Sequence, residues 1–254
     1  ISLGNNSFSN SSIEQINIPK TVEKIGKSSF FCCKNLKTID FNKNSRIVSI
    51  EDKTFMKSSL QKISIPDSVK IIKKQSFSYC SQLTDVIISN SSKLELIERQ
   101  SFEYSAINEI RFPSTVKQIG PKAFYFCEYL QKIDFSNDSE LISIEDYAFA
   151  QTSIYEIILP KKTKIIQQLA FYACQNLHSL KFQENSELTF ICYDAFNQTG
   201  INCIYIPSHV KYISKNAFFN CKYLKKISFE KNSIFDSLSS YINMCYNFDS
   251  LYIP

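Results

Sequence analysis

The chain has no tryptophan, only four glycines and only two histidines in 254 residues. Each shortage removes a class of function. Gly4, Gly26, Gly120 and Gly200 are too scattered to build a glycine-rich loop that wraps a phosphate in main-chain N–H groups. A Ser-His-Asp or Cys-His arrangement would have to use His178 or His209. His178 lies beside apolar Leu177 and His209 two residues after Pro207, and neither has a candidate nucleophile at a recurring spacing. Surface positions without a chemical task account for both, so catalysis, a cofactor and a metal site are not expected. No apolar run reaches the ~18 residues of a membrane helix, and Ile1 to Ser12 lack the basic-then-apolar order of a signal peptide. Direct membrane insertion of this segment is therefore not expected. Long blocks of one charge are missing too: 29 Lys and Arg against 24 Asp and Glu give a net +5, with the signs interspersed. Basic stretches such as Lys70, Lys73 and Lys74 read as solvated faces, and a nucleic acid is not the expected partner.

What the chain does have is a repeat. Pro19, Pro66, Pro113, Pro160, Pro207 and Pro254 follow one another at intervals of 47 residues. Eleven residues after each of the first five comes Phe30, Phe77, Phe124, Phe171 or Phe218, and three later Cys33, Cys80, Cys127, Cys174 or Cys221. Three registers held at one period mark a solenoid of stacked coils. Each period divides into two related halves, both opening on an apolar-x-x-apolar-x-apolar string, as in Leu60 to Ile65 and Leu130 to Phe135. That alternation predicts a half-buried strand. The first half then runs through proline to a pair such as Val69 and Ile72, while the second carries a polar turn such as Ser136-Asn-Asp-Ser139 and returns to Ile144. Both halves end on a Ser/Ala-Phe segment, for example Ala123-Phe124 and Ala148-Phe149, which reads as one helical or 3-10 turn that plugs the coil with phenylalanine.

One coil buries about five apolar side chains at ~1.5–3 kcal/mol each, whereas ordering its backbone costs ~1–2 kcal/mol per residue. A lone coil cannot fold, and stacking supplies the difference. The fold expected is an α/β solenoid: one long parallel β-sheet, short second extended pieces, and short helical or 3-10 turns on the other side. Residues 1–254 make one domain of about eleven coils on this reading, with a sheet ~50 Å long at ~4.8 Å per strand. Leu3 and Phe8 align with Ile50 and Phe55, and the chain stops on Pro254, halfway through another coil. The sequence therefore reads as a fragment of a longer solenoid.

The string Leu-x-x-Ile-x-Ile-Pro-x-x-Val-x-x-Ile-x-x-x-Ser/Ala-Phe-x-x-Cys, written out from Leu60 to Cys80, resembles the Treponema pallidum-type leucine-rich repeat of the BspA-like family. The resemblance covers essentially the whole chain and is weakest near Asn243, which stands where a plug phenylalanine is due. It implies a surface protein of an anaerobic bacterium or a protist, with roles in adhesion, host-protein binding and cell aggregation. The abundance of Ile, Asn, Lys, Ser, Phe and Tyr matches coding from an AT-rich genome.

Nine cysteines would suggest disulfides in a secreted protein. The five in register, however, are two coils apart, ~10 Å, beyond the ~7 Å limit between bridged Cα atoms. Ser58, Ser105, Thr152 and Thr199 fill the same position in the coils between. A buried Cys/Ser ladder is the expectation; Cys32, Cys192, Cys203 and Cys245 fall off it.

The central residue of each strand should point outward. Those residues run Asn17, Asp40, Ser64, Ile87, Arg111, Asp134, Ile158, Lys181, Tyr205, Ser228 and Tyr252. The column is mixed in charge, but from Tyr155 and Ile158 through Tyr205 to Tyr252 the exposed strand face turns aromatic and apolar, and these four with Lys181 make the candidate face. Two readings stay open for this stretch: lateral packing along the sheet, or a protein-binding face of the composition enriched at interfaces. A non-catalytic, protein-binding solenoid at the cell surface or secreted is the function expected, with self-association as a further partner mode. The alternative is a cytoplasmic scaffold or assembly subunit, which unpaired thiols would suit. Sequons at Asn5, Asn10, Asn90, Asn137 and Asn197 are no more than the serine content accounts for.

Overall fold

The computed structural model describes residues 1–234 and, beyond them, the backbone of the strands Ser237–Leu238 and Ser250–Tyr252. The alternating strings form the longer strands. Gln15–Ile18, Thr38–Phe41, Lys62–Ser64, Asp85–Ile87, Glu109–Phe112, Lys132–Phe135, Glu156–Leu159 and Ser179–Phe182 pair in parallel as an eight-stranded sheet. Cys203–Ile206, Lys226–Phe229 and Ser250–Tyr252 form a separate three-stranded sheet. The β pleat sends successive side chains to opposite faces, so Glu109 and Arg111 are exposed while Ile110 and Phe112 are buried.

The second apolar pair of each coil also forms strands. Nine two-residue strands, from Ser49–Ile50 to Ser237–Leu238, make their own parallel sheet, and Ser2–Leu3 pairs with Lys24–Ile25 before it. The expectation of one long sheet is thus corrected: the coils carry two parallel ladders, and the ladder of longer strands is divided between Ser179–Phe182 and Cys203–Ile206.

The expected helical or 3-10 turns are corrected as well, for no helix occurs among the described residues. A helix needs each N–H to reach the carbonyl four residues back. Here alternate N–H groups leave the coil instead. Lys122, Phe124 and Phe126 donate to the carbonyls of Asp146, Ala148 and Ala150 in the next coil, at 2.8, 2.8 and 3.0 Å. Between them Tyr125 and Cys127 close tight turns onto Lys122 and Phe124. This zigzag requires a left-handed residue at each bend, and Lys122 and Phe126 have φ of 56° and 59°. The same pair, four residues apart, recurs from Asn6 and Asn10 to Asn216 and Asn220, filled by Asn, Ser, Cys, Lys, Gln, Tyr, Phe, Leu, Ala or Asp and never by glycine. A left-handed L-residue costs ~1–2 kcal/mol, comparable to the ~1–3 kcal/mol of leaving a buried main-chain group unanswered. Coil-to-coil hydrogen bonds therefore hold the strained bends in place.

Inside the triangle of two sheets and a turn ladder, the plug phenylalanines form one stack. Phe8, Phe30, Phe55, Phe77, Phe102, Phe124, Phe149, Phe171, Phe196 and Phe218 lie ring on ring, with neighbouring centroids between 4.9 and 5.5 Å. Beside it runs the thiol ladder: Cys80, Cys127 and Cys174 are buried, carry no disulfide, and donate to the carbonyls of Phe55, Phe102 and Phe149 at 2.9, 3.1 and 3.1 Å. Ser58, Ser105 and Thr152 lie against the same sulfurs. Cys245 and Asn243 lie outside the described residues.

Candidate protein-binding face

The repeating proline shapes the exposed face of the longer strands. In three of the double repeats the residue after the second long strand donates its N–H to the last strand carbonyl of the preceding coil: Asn42 to Ile18, Gln183 to Leu159 and Glu230 to Ile206, at 3.1, 3.0 and 2.8 Å. Between double repeats that place belongs to Pro66, Pro113, Pro160 and Pro207, and proline has no N–H. Four residue pairs join Glu109–Phe112 to Lys132–Phe135, and four join Glu156–Leu159 to Ser179–Phe182. The seams between double repeats hold less. Two pairs join Thr38–Phe41 to Lys62–Ser64, one joins Asp85 to Glu109, one joins Lys132 to Glu156, and Ser179–Phe182 is not paired to Cys203–Ile206 at all. At the last seam, before Ser250–Tyr252, three pairs return.

Where pairing fails, the face opens. A cleft of about 130 Å³ lies at the seam of Lys132 and Glu156, with Phe135, Tyr155 and Ile158 among its walls. A larger one, about 340 Å³, lies at the unpaired seam, between Leu180, Lys181 and Phe182 on one side and Tyr205 and Pro207 on the other.

Four of the five residues singled out on the sequence flank these clefts. Tyr155, Ile158 and Tyr205 are exposed at 52%, 46% and 56%. Lys181 pairs in register with Ile158 and reaches Glu156, 3.5 Å away. Tyr252 is strand-paired to Ser228, but its side chain lies outside the described residues. Lower on the same face the outward charges are paired, Arg111 and Lys132 both lying 3.3 Å from Asp134. Such exposed pairs contribute ~0–1 kcal/mol.

The structure also places together a set of rings not singled out on the sequence. On the outer side of the turn ladder Tyr79 stacks on Tyr104, and Tyr104 on Phe126, both at 4.8 Å. Lys57 lies 5.8 Å from the Tyr79 ring, and Lys122 lies 5.3 and 5.2 Å from Tyr125 and Tyr147. The signal was available, since Tyr79, Tyr104 and Phe126 each stand two residues after a plug phenylalanine. The two histidines are in separate places. Nδ1 of His178 is 2.9 Å from the Gly200 carbonyl, and His209 neighbours Ser208 in an exposed loop. Asn197, one of the sequons, is buried with its amide on Asp194.

This geometry recurs in known proteins. The chain is similar to a leucine-rich repeat protein of Bacteroides ovatus, at 26% identity and a TM-score of 0.73 over 99% of this chain and 58% of that one. It is similar in fold to the pneumococcal vaccine antigen PcpA, at 24% identity and a TM-score of 0.54 over 86% of this chain and 62% of that one. A leucine-rich repeat protein of Eubacterium ventriosum shares the fold at 18% identity and a TM-score of 0.52, over 99% and 78%. The chain thus spans about three fifths of the length of the first two. No curated protein sequence matches it. The BspA-type leucine-rich repeat region matches in six copies, over residues 1–131, 95–225 and 142–254. With its period, its coil geometry and that match in agreement, the chain belongs to the BspA-type leucine-rich repeat family.

Proposed function

We propose that this solenoid is a non-catalytic, protein-binding module of the cell surface or of a secreted protein, and that its partner docks on the longer-strand face from Tyr155 to Tyr205. One observation carries the reading: large apolar and aromatic side chains, half exposed, flank the two clefts of that face, while the face below them is charge-paired. Aromatic side chains at a partly dry, concave surface are the usual anchors of protein interfaces. Family membership supports the adhesive role.

The test is binding of the purified chain to a panel of immobilised extracellular matrix and serum proteins. Ile158→Ala with Tyr205→Ala should weaken any specific interaction at least tenfold, the effect of losing ~1.4 kcal/mol; unchanged binding to every ligand found would overturn the assignment of the face. A cytoplasmic scaffold is the second reading, supported by the buried thiols that carry no disulfide. Labelling of intact cells with a membrane-impermeant reagent separates the two readings.

A further inference from the structure

The loop that leads from the turn ladder into each longer strand alternates in length. Cys174 and Cys221 are each followed by two residues, Gln175-Asn176 and Lys222-Tyr223, before the next buried leucine. Each pair is a tight turn, closed by the leucine N–H on the cysteine carbonyl at 3.0 and 3.1 Å. In the coil between them Thr199 is followed by Gly200 alone before Ile201. The shorter loop leaves a notch of about 310 Å³, floored by Thr199 and Gly200 and walled by the two turns, with Gln198 and Asn220 beside them. Glycine is what admits His178 to this notch. A Cβ on Gly200 would come within 2.8 Å of His178 Nδ1; without one, Nδ1 rests 2.9 Å from the Gly200 carbonyl. The exposed Tyr223 ring stands close to perpendicular to the imidazole, at 72°, with centroids 6.1 Å apart.

The notch is rich in hydrogen-bonding groups of both kinds. A carbonyl can accept but not donate, so His178 Nδ1 carries the proton of the neutral ring and Nε2 is left as an acceptor. Gln198 spends an amide N–H on the Tyr172 hydroxyl, 3.3 Å away, and keeps its oxygen. The Thr199 hydroxyl is committed to the Phe196 carbonyl. Gln175, Asn176 and Asn220 each add an amide that both donates and accepts, and Lys222 adds one ammonium. No carboxylate stands among the described residues that line the notch. An anion would find one cation but also meet the acceptor nitrogen and the amide oxygens, and an apolar body would find one ring among polar groups.

We propose that this notch binds a neutral pyranose sugar, its C–H face on Tyr223 and its hydroxyls among His178 Nε2 and the amides of Gln175, Asn176 and Asn220. Adjacent ring hydroxyls each donate and accept, so one sugar ring can answer several mixed amides and an acceptor nitrogen at a single point, while its C–H bonds suit the face of an aromatic ring. A peptide main chain spreads one donor and one acceptor over each ~3.3 Å of its length, and most of them would fall outside the notch. The corresponding notch over Ser59, about 380 Å³, is built differently: no aromatic ring stands among the described residues that line it, and Glu14 and Lys37 lie 3.8 Å apart in it. None of the sugar-site residues is one of Tyr155, Ile158, Lys181 and Tyr205, so the site stands or falls apart from the docking face.

The probes are the methyl pyranosides of mannose, galactose, glucose and fucose, and N-acetylglucosamine, each mixed with the whole chain and read by saturation-transfer NMR. A ligand of about a dozen non-hydrogen atoms should bind here with a Kd of about 1 mM. At least one sugar should show saturable transfer to its ring protons. Tyr223→Ala should abolish that transfer, and His178→Phe, which keeps a flat ring and loses the acceptor, should weaken binding about tenfold. Both side chains are exposed, so the variants keep the fold, as circular dichroism would show. No saturable transfer to any of the sugars overturns the site, as does binding that neither substitution changes. Triglycine or inorganic phosphate displacing the sugar at equal concentration would overturn the sugar as the occupant, in favour of a peptide or an anion.

Discussion

The thiol of Cys127 points back one coil at the carbonyl of Phe102, 3.1 Å away, with the Ser105 hydroxyl 3.4 Å from the same sulfur. Each ladder cysteine thus acts as a small buried donor that ties a coil to the plug of the one before it.

Reactivity follows from that placement. Burial pushes the Cys80 and Cys127 thiols up to about 12 and the Cys174 thiol up to about 11, so at neutral pH almost none of the reactive thiolate exists. Cys203, on the exposed strand face, has no such cover. Timed alkylation followed by peptide mass spectrometry should find Cys203 modified first and the ladder thiols only as fast as the chain unfolds. Labelling of Cys127 at the rate of Cys203 would refute the ladder.

Backbone strain predicts a pair of opposite substitutions. Ala173 holds φ of 56° at a bend, where its methyl group is a burden, so Ala173→Gly should raise stability by ~0.5–1 kcal/mol and the melting temperature by ~1–4 °C. Gly200 shows the reverse need. A Cβ there would overlap the Gln175 carbonyl and come within 2.8 Å of His178 Nδ1, so Gly200→Ala should lower the melting temperature and displace the His178 ring. A calorimetric scan checks both signs.

Why one of these features was legible in the sequence and the other was not is a matter of side-chain chemistry. The Pro, Phe and Cys registers recur because equivalent coils must present the same group to their neighbours, and the outward placement of Ile158 and Tyr205 follows from strand alternation. The turn segments were misread as helical because Lys122, Leu169 or Ala173 carries no mark of a left-handed backbone, a state ordinarily signalled by glycine or asparagine. What fixes them is a hydrogen bond to the next coil, which local sequence does not contain. The clefts were hidden for the same reason: Pro207 is visible at once, but the strand that its own strand fails to pair with, Ser179–Phe182, lies one coil away.

Acid should weaken the coil that holds Glu51. Burial pushes the Glu51 carboxyl up, but hydrogen bonds from Lys73 at 2.8 Å and Ser49 at 2.7 Å outweigh it, and the net shift is downward. A carboxylate whose folded pKa lies below its unfolded value contributes stability that is complete above the unfolded value, ~4.3, and is lost as pH falls through the folded one. Glu51→Gln should therefore cost ~1.5–3 kcal/mol at pH 7, the range for hydrogen bonds to a charged group, and progressively less below pH ~4. Urea titrations at a series of pH values read the difference. A gap between wild type and variant that stays constant down to pH ~3 would exclude this role for the pair.

The ring stack sets how the solenoid comes apart. Phe124 is fully buried and touches Phe102 and Phe149 at 5.1 and 5.3 Å, in the middle of the chain. Phe124→Ala should cost ~3–5 kcal/mol by cavity formation, together with two stacking contacts of ~0.5–1.5 kcal/mol each. In a solenoid each coil is held only by its neighbours, so the loss is not shared along the chain but concentrated at one interface. Unfolding of the variant should then separate into two steps, with hydrogen exchange rising first in the amides that bridge this coil to the next, Phe124 to Ala148 and Phe126 to Ala150. Phe124→Leu restores most of the apolar volume but neither stacking contact, and should fall between wild type and alanine while retaining a single transition. If the alanine variant melts in one step with uniform exchange, cooperativity in this chain reaches beyond nearest neighbours, and the two parallel ladders rather than the rings would have to carry it.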